Sequence, residues 1–168
     1  MTGRAAPAVV GLGANLGDPE ATLCAALDAL RPLADPPGSW RVSSFYRTAP
    51  VDAAGPDFVN AVAVFDTALH PRALLAELQA IEARFGRERP YRNAPRTLDL
   101  DLLALGDALS QDPVLTLPHP RAHERAFVLA PWAEVLPQAV LPGRGPVADL
   151  LGLLQGQAVA RLPRPYNP

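Results

Sequence analysis

The chain has 168 residues, of which 49% are apolar and 19% are charged, and its formal net charge is −2. These values predict one folded domain spanning residues 1–168, and they exclude a disordered chain and argue against a general nucleic-acid binder. No apolar run reaches the ~20 residues of a membrane span. The single cysteine excludes an intrachain disulfide and a Cys-based zinc site. We therefore expect a cytoplasmic protein.

The first half of the chain predicts a strand, a helix and two more strands. Residues 8–13 (AVVGLG) favour a short buried strand. A helix start follows. Asp18 is the N-cap, Pro19 lies in the first turn, and Glu20 places an acid near the positive end of the helix dipole. Residues 40–47 and 58–67 are β-branched and aromatic and favour strands.

The second half predicts another helix and strand, followed by irregular structure. The helix begins at Pro71 and ends near Gly86, and an arginine-rich loop, RERPYRNAPR, leads to the strand PRTLDLDLL. Residues 106–168 add the loop LPHPRAHERAF, a helix that carries Trp132 and a short helix after Pro146. The β-α-β-β-α-β order predicts an α+β ferredoxin-like sandwich, with helices on one face of an antiparallel sheet, plus C-terminal additions.

Two aspartates, Asp99 and Asp101, lie inside the last of these strands. Side chains alternate along a strand, so the two carboxylates share one face, ~7 Å apart between Cα atoms, while the leucines face the helices. Like charges this close repel, and a cation removes the conflict. Oxygen ligands favour Mg²⁺ or Mn²⁺ over zinc, although a solvated strand face would also carry charge.

Arginines precede the aspartate pair at positions 84, 87, 89, 92 and 96. Guanidinium groups suit phosphate oxygens, and a solvated basic helix end is the alternative. The arginines and aspartates together favour a site for a phosphate and a metal.

Other polar positions are open to two interpretations. The glycines of GLGANLGD match neither a P-loop nor GxGxxG and are interpreted as a tight turn. Asn60 could bind a heterocycle or simply be a hydrogen-bonded edge residue. His119 and His123 are four residues apart, but Pro120 disfavours a regular helix and therefore a zinc site, so this basic loop suits the phosphates of a nucleotide better.

Four blocks of sequence resemble the 6-hydroxymethyl-7,8-dihydropterin pyrophosphokinase family of folate biosynthesis. They are GLGANLGD, VSSFYRTAPV leading to DFVNAV, PRTLDLDLL, and LPHPRAHERAFVLAPWAE, in the order of the family and over most of residues 9–137. The resemblance implies a ferredoxin-like fold, ATP as co-substrate, two Mg²⁺ ions and transfer of pyrophosphate to the pterin hydroxymethyl group with release of AMP. It also implies no nucleic-acid or membrane partner, and we expect a monomer.

The resemblance also implies roles for individual residues. The metal ligands are Asp99 and Asp101, which are catalytic together with Arg87 and Arg96. The pterin contacts are Phe45, Thr48, Ala49, Pro50, Val51, Phe58, Asn60, Asp99 and Phe127. The ATP contacts are Gln79, Glu82, Arg87, Arg96, Leu102, Thr116, His119 and Arg125.

The chain departs from the family pattern at two places. An aromatic residue usually precedes Gly-Pro-Arg, whereas here residues 92–96 are RNAPR, and Tyr91 could substitute for it. Pro120 stands where some members carry tyrosine. Residues 48–57 and 86–95 are expected to form lids over the site. The alternatives are a degenerate relative that binds pterin without turnover, an RNA-binding module and a metal-dependent nuclease.

Overall fold

A computed structural model describes residues 5–50, 55–86 and 98–163 of the protein. In chain order the elements are β1 (Ala6–Ala14), α1 (Pro19–Leu30), β2 (Arg41–Val42), β3 (Tyr46–Thr48), β4 (Phe58–Thr67), α2 (Pro71–Phe85), β5 (Asp99–Leu105), β6 (Ser110–Asp112), β7 (Leu115–Leu117), α3 (Ala126–Val135), β8 (Val140–Leu141), β9 (Gly145–Pro146), α4 (Val147–Gly152) and β10 (Ala160–Arg161).

The main sheet runs in the order β10-β3-β4-β1-β5, and β2 also pairs with β4. Each neighbouring pair of strands is antiparallel. The predicted α+β class, with an antiparallel sheet and packed helices, is therefore confirmed.

One face of the sheet packs against α1 and α2 and forms the larger core. Leu98, Leu100 and Leu102 of the aspartate strand are buried in this core with Leu74 and Leu78 of α2. The predicted leucine face of the strand is therefore correct, and the aspartates lie on the opposite face.

The second face of the sheet is partly covered by α3 and α4. Val62 and Leu103 of this face pack against Val128, Leu129 and Trp132 of α3. The C-terminal additions thus form a helical layer on the second face of the sheet. The prediction had placed helices on one face only. Above the ends of β1, β4 and β5 this layer stops, and a pocket opens there.

The helix boundaries follow the local signals in the sequence. Asp18 caps α1, because its Oδ1 accepts a hydrogen bond from the Ala21 N–H at 3.1 Å. The second helix begins at Pro71 and its C-cap is Gly86, as predicted.

The strand predicted over residues 40–47 is divided into β2 and β3. At the break, the Ser43 hydroxyl accepts a hydrogen bond from the Val62 N–H at 2.9 Å and donates to the Ser44 carbonyl at 2.7 Å. A side chain here replaces a backbone carbonyl in the ladder, so regular pairing is interrupted. The short pairs β6–β7 and β8–β9 were not predicted either.

Among the helices in the described part of the chain, none has both the length and the apolarity required to cross a lipid bilayer.

Candidate functional site

A pocket of about 650 Å³ lies between the second face of the sheet and the beginning of α3. Its lining combines two carboxylates on β5, an amide on β4, two aromatic rings and two arginines. The residues are Gly11, Leu12, Gly13, Thr48, Ala49, Phe58, Asn60, Ala61, Val62, Asp99, Asp101, Leu103, Arg121, Glu124, Arg125, Phe127, Val128 and Gln157.

Two glycines of β1 form the floor of this pocket. Gly13 pairs with Asn60 on one side and Asp99 on the other, and Gly11 pairs with Asp101. A Cβ atom at Gly13 would lie 2.9 Å from the Asn60 Oδ1 atom. Both glycines are strand residues, which confirms the strand predicted over residues 8–13, so the turn interpretation of GLGANLGD holds only for Gly17, which has φ 65° and follows β1.

The side chain of Asn60 is buried at the floor of the pocket. Its Nδ2 atom donates to the Thr48 Oγ1 atom at 3.0 Å, and only 6% of the residue is exposed. This bond joins β3 to β4 and fixes the orientation of the amide. The remaining N–H and the carbonyl oxygen give Asn60 further hydrogen-bonding capacity toward a ligand.

Asp99 and Asp101 both line the pocket from β5, and both are half-buried. Their positions two residues apart bring both side chains to one face, as the sequence predicted. Two carboxylates are the protein ligands that a Mg²⁺ ion typically accepts, with water and phosphate oxygens completing its shell. Within the described ranges, the pocket included, no group of three or more His, Cys, Asp or Glu residues could hold a metal ion, so Asp99 and Asp101 stand as a pair.

The opposite rim of the pocket is basic and aromatic. Arg125 and Phe127 come from the start of α3, and the Arg125 guanidinium lies 5.6 Å from the centroid of the Phe127 ring, in a cation–π arrangement. Arg121 and Glu124 lie just before them in the chain and also line the pocket. The lining therefore combines two arginines with the carboxylates of Asp99, Asp101 and Glu124, in a cavity that is wide enough for a small ligand.

Gln157 reaches the same rim from the C-terminal segment. Its Oε1 atom accepts a hydrogen bond from the Ala126 N–H at 2.9 Å, and its Nε2 atom donates to the Glu124 carbonyl at 2.8 Å. The sequence contains no local signal for this residue, because its partners lie some thirty positions earlier in the chain.

His119 lies beside the pocket but is not among its lining residues. Its Nδ1 atom accepts a hydrogen bond from the Arg121 N–H at 3.2 Å. Burial lowers the pKa of His119, the charge of Asp101 opposes this shift, and the charges of Arg125 and Arg121 reinforce it. The lowered pKa favours the neutral ring, and the hydrogen bond that Nδ1 accepts favours the tautomer with its proton on Nε2.

Several predicted site residues are outside the pocket. Phe45 is buried in the larger core, and so is Leu102 of β5. Gln79 is exposed on α2. Glu82 accepts a hydrogen bond from the Leu100 N–H at 2.9 Å, and the Thr116 hydroxyl donates to the Asp112 carbonyl at 3.0 Å. Pro50 is half-buried and does not line the pocket.

The remaining predicted residues, Val51, Arg87 and Arg96, lie outside the described residues, as do Tyr91 and the RNAPR segment. The lids predicted over residues 48–57 and 86–95 fall partly outside them too.

Comparison with known proteins connects this geometry to one family. A family model described as 7,8-dihydro-6-hydroxymethylpterin-pyrophosphokinase matches residues 9–137. The 2-amino-4-hydroxy-6-hydroxymethyldihydropteridine pyrophosphokinase of Pseudomonas aeruginosa is 43% identical over 155 residues, which cover 92% of this chain and 95% of the relative. The protein of the same name from Haemophilus influenzae is 42% identical over 145 residues, which cover 86% and 90%.

Solved structures share the fold. The crystal structure of wild-type Plasmodium falciparum HPPK-DHPS with pteroate matches 91% of this chain with a TM-score of 0.69 at 14% identity. The match covers 43% of that protein, so this chain spans less than half of its length.

Proposed function

The chain belongs to the 7,8-dihydro-6-hydroxymethylpterin-pyrophosphokinase family, and from this premise we propose where it binds its two substrates and its metal ions. As a member, it is an ATP-dependent pyrophosphokinase of folate biosynthesis. It transfers the pyrophosphoryl group of ATP to the hydroxymethyl group of 6-hydroxymethyl-7,8-dihydropterin, which leaves AMP as the second product. The observation that carries the site assignment is the pocket that Asp99 and Asp101 share with Asn60 and Phe127.

The pterin binds in the part of the pocket between Phe58 and Phe127. Both rings line the cavity, and a flat heterocycle packs well between two aromatic side chains. The Asn60 amide, fixed by its bond to Thr48, supplies a donor and an acceptor for the polar edge of the pterin. Ala49 beside Thr48 adds to the same wall. We also propose Phe45, Pro50 and Val51, which are close to Thr48 and Ala49 in the sequence, as pterin contacts.

Asp99 and Asp101 hold two Mg²⁺ ions together with the phosphate oxygens of ATP. The donor set fits, because both are carboxylates on one face of β5 and both line the pocket. Bound Mg²⁺ neutralises phosphate charge and lowers the pKa of a coordinated hydroxyl group. The negative charge of both carboxylates would be needed to hold the ions, so we expect the two aspartates to act as one unit.

ATP binds on the basic side of the site, where Arg125 faces the aspartates across the pocket. Guanidinium groups bind phosphate oxygens in a fixed fork geometry. Arg87 and Arg96 stabilise the charge that develops as AMP leaves. We also propose Gln79, Glu82, Leu102, Thr116 and His119 as contributors to the nucleotide site.

The chain's own groups contribute mainly by positioning. Phosphoryl-type transfer depends on an in-line arrangement of the attacking hydroxyl and the leaving oxygen, together with electrostatic stabilisation. Phe58, Phe127 and Asn60 fix the pterin ring, so its hydroxymethyl group points along the floor formed by Gly11 and Gly13 toward the aspartates. A Cβ atom at either glycine would narrow this floor.

We propose that residues 1–168 form one pyrophosphokinase domain that works as a monomer in the cytoplasm, where ATP is available. The strand order β3-β4-β1-β5 supports a ferredoxin-like sheet.

Formation of AMP from ATP and Mg²⁺, with and without 6-hydroxymethyl-7,8-dihydropterin, tests this function on the purified chain. We expect AMP only when the pterin is present. If a folded chain that binds the pterin forms no AMP, it is a non-catalytic relative, and the RNAPR segment becomes the first position to restore. AMP formed equally without pterin would contradict the assigned acceptor.

A further inference from the structure

Within its described residues, the C-terminal segment contributes one side chain to the pocket, that of Gln157. The residue lies beyond the segment 9–137 that carries the family match. Its own backbone is held, because the Gln157 N–H donates to the Leu154 carbonyl at 3.0 Å. Leu154 in turn packs against the second core, and β10 pairs with β3 a few residues later. Gln157 therefore projects toward the pocket from an anchored turn.

The amide of Gln157 bonds to backbone groups on both sides of Arg125. It donates to the Glu124 carbonyl at 2.8 Å and accepts from the Ala126 N–H at 2.9 Å. The first N–H groups of a helix have no partner within the helix, and Arg125, the N-cap of α3, makes no capping bond with its side chain. Gln157 thus caps α3 from a distant part of the chain.

A primary amide can make both bonds at once. The side chain must accept from an N–H and donate to a carbonyl, and glutamine offers both groups at the end of a long side chain. A carboxylate would keep the bond to Ala126 but would place negative charge against the Glu124 carbonyl. Alanine would lose both bonds.

We infer that Gln157 is a positioning residue for the pyrophosphokinase reaction, acting through the backbone of residues 124–126. By holding that backbone, it directs Arg125 and Phe127 into the pocket. There the Arg125 guanidinium lies 5.6 Å from the centroid of the Phe127 ring. This inference rests on the proposed roles of Arg125 at ATP and Phe127 at the pterin. It adds a C-terminal residue that controls the affinity for both substrates.

The test compares Q157A with Q155A, since Gln155 is an exposed glutamine of the same segment. Q157A removes two neutral hydrogen bonds, so we expect the KM for the dihydropterin to rise about tenfold in this variant, with a smaller change in kcat. We expect Q155A to match the parent chain. Direct binding of the dihydropterin, followed by quenching of its fluorescence, should weaken by the same factor.

A second readout does not depend on catalysis. Amide hydrogen exchange at Ala126 should be about tenfold faster in Q157A and should remain slow in Q157E, which keeps the acceptor for this N–H. If Q157A lowers kcat through loss of folded protein while KM and Ala126 exchange stay unchanged, the role is merely structural and the inference is wrong. A different result would contradict the proposed function and not the capping role of Gln157. In that case the parent chain would form no AMP, while Ala126 exchange would still be fast in Q157A and slow in the parent chain.

Discussion

Replacing Gly13 with alanine should disturb the pterin site from beneath. The new Cβ atom would lie 2.9 Å from the Asn60 Oδ1 atom, so the amide must move by about 0.5 Å to reach an ordinary van der Waals separation. Asn60 cannot move freely, because it is 6% exposed and its Nδ2 atom bonds to the Thr48 hydroxyl at 3.0 Å. The substitution therefore weakens that bond or forces a different side-chain rotamer.

The cost follows from the burial of the amide. A buried polar group that loses its partner destabilises a protein by ~1–3 kcal/mol, which corresponds to a fall in Tm of ~2–12 °C for a chain of this size. The displaced amide also no longer meets the polar edge of the pterin, so we expect the Kd for the dihydropterin to rise at least ~10-fold.

Calorimetric titration of G13A with the dihydropterin, together with a thermal melt, measures both effects. The control is G38A, since a Cβ atom at Gly38 meets nothing within 4 Å and the substitution reports only the general effect of Gly→Ala. If G13A lowered Tm but bound the pterin as tightly as G38A does, Asn60 would not be a pterin ligand. If neither quantity changed, the close approach of Gly13 and Asn60 would be wrong.

Two further substitutions test hydrogen bonds in the fold, one from α2 to β5 at the edge of the main sheet and one from β3 to α3. In E82A the Leu100 N–H loses its acceptor, so chemical denaturation should show a loss of ~1–2 kcal/mol; E82Q should retain most of the stability, and E77A, at an exposed position of the same helix, should change it by less than ~0.5 kcal/mol. Equal stability of E82A and E77A would contradict the contact. Burial, and then the hydrogen bond and charge of Glu134, raise the pKa of Tyr46 to about 12. This pKa lies above the value of ~10 in the unfolded chain. The stabilisation that comes from the shift should therefore be fully present below pH ~10 and be lost as the pH rises toward about 12. Urea midpoints between pH 9 and 11.5 should therefore fall less in Y46F than in the parent chain, and parallel curves would refute the shift.

The sequence predicted the parts of this site that depend on local periodicity. The alternation in LDLDL was sufficient to place Leu100 and Asp101 on opposite faces of β5, and the structure has both there. The strand Phe58–Thr67 and the helix from Pro71 likewise followed from residue types and end signals. These features need no knowledge of which strands are neighbours.

The features that sequence reasoning missed depend on distant pairing. Gly11 and Gly13 are suitable for a turn when considered alone, and their role as a pocket floor appears only when β1 lies between Asn60 and Asp99. A G-x-G pair that faces a D-x-D pair across a predicted antiparallel ladder is the signal that could have indicated it. Gln157 had no such signal, since its bonds go to backbone groups of residues 124 and 126.

We propose that Asp99 and Asp101 form the metal site of the pyrophosphokinase. The measurement that tests it most directly is the rate of dihydropterin-dependent AMP formation, against Mg²⁺ concentration, in D101N and D99N. The control is D107N, an exposed aspartate in the turn that follows β5. We predict that D101N and D99N lose at least ~100-fold in rate with unchanged Tm, while D107N keeps the parent rate. A near-normal rate in D101N at the same Mg²⁺ concentration would contradict the assignment.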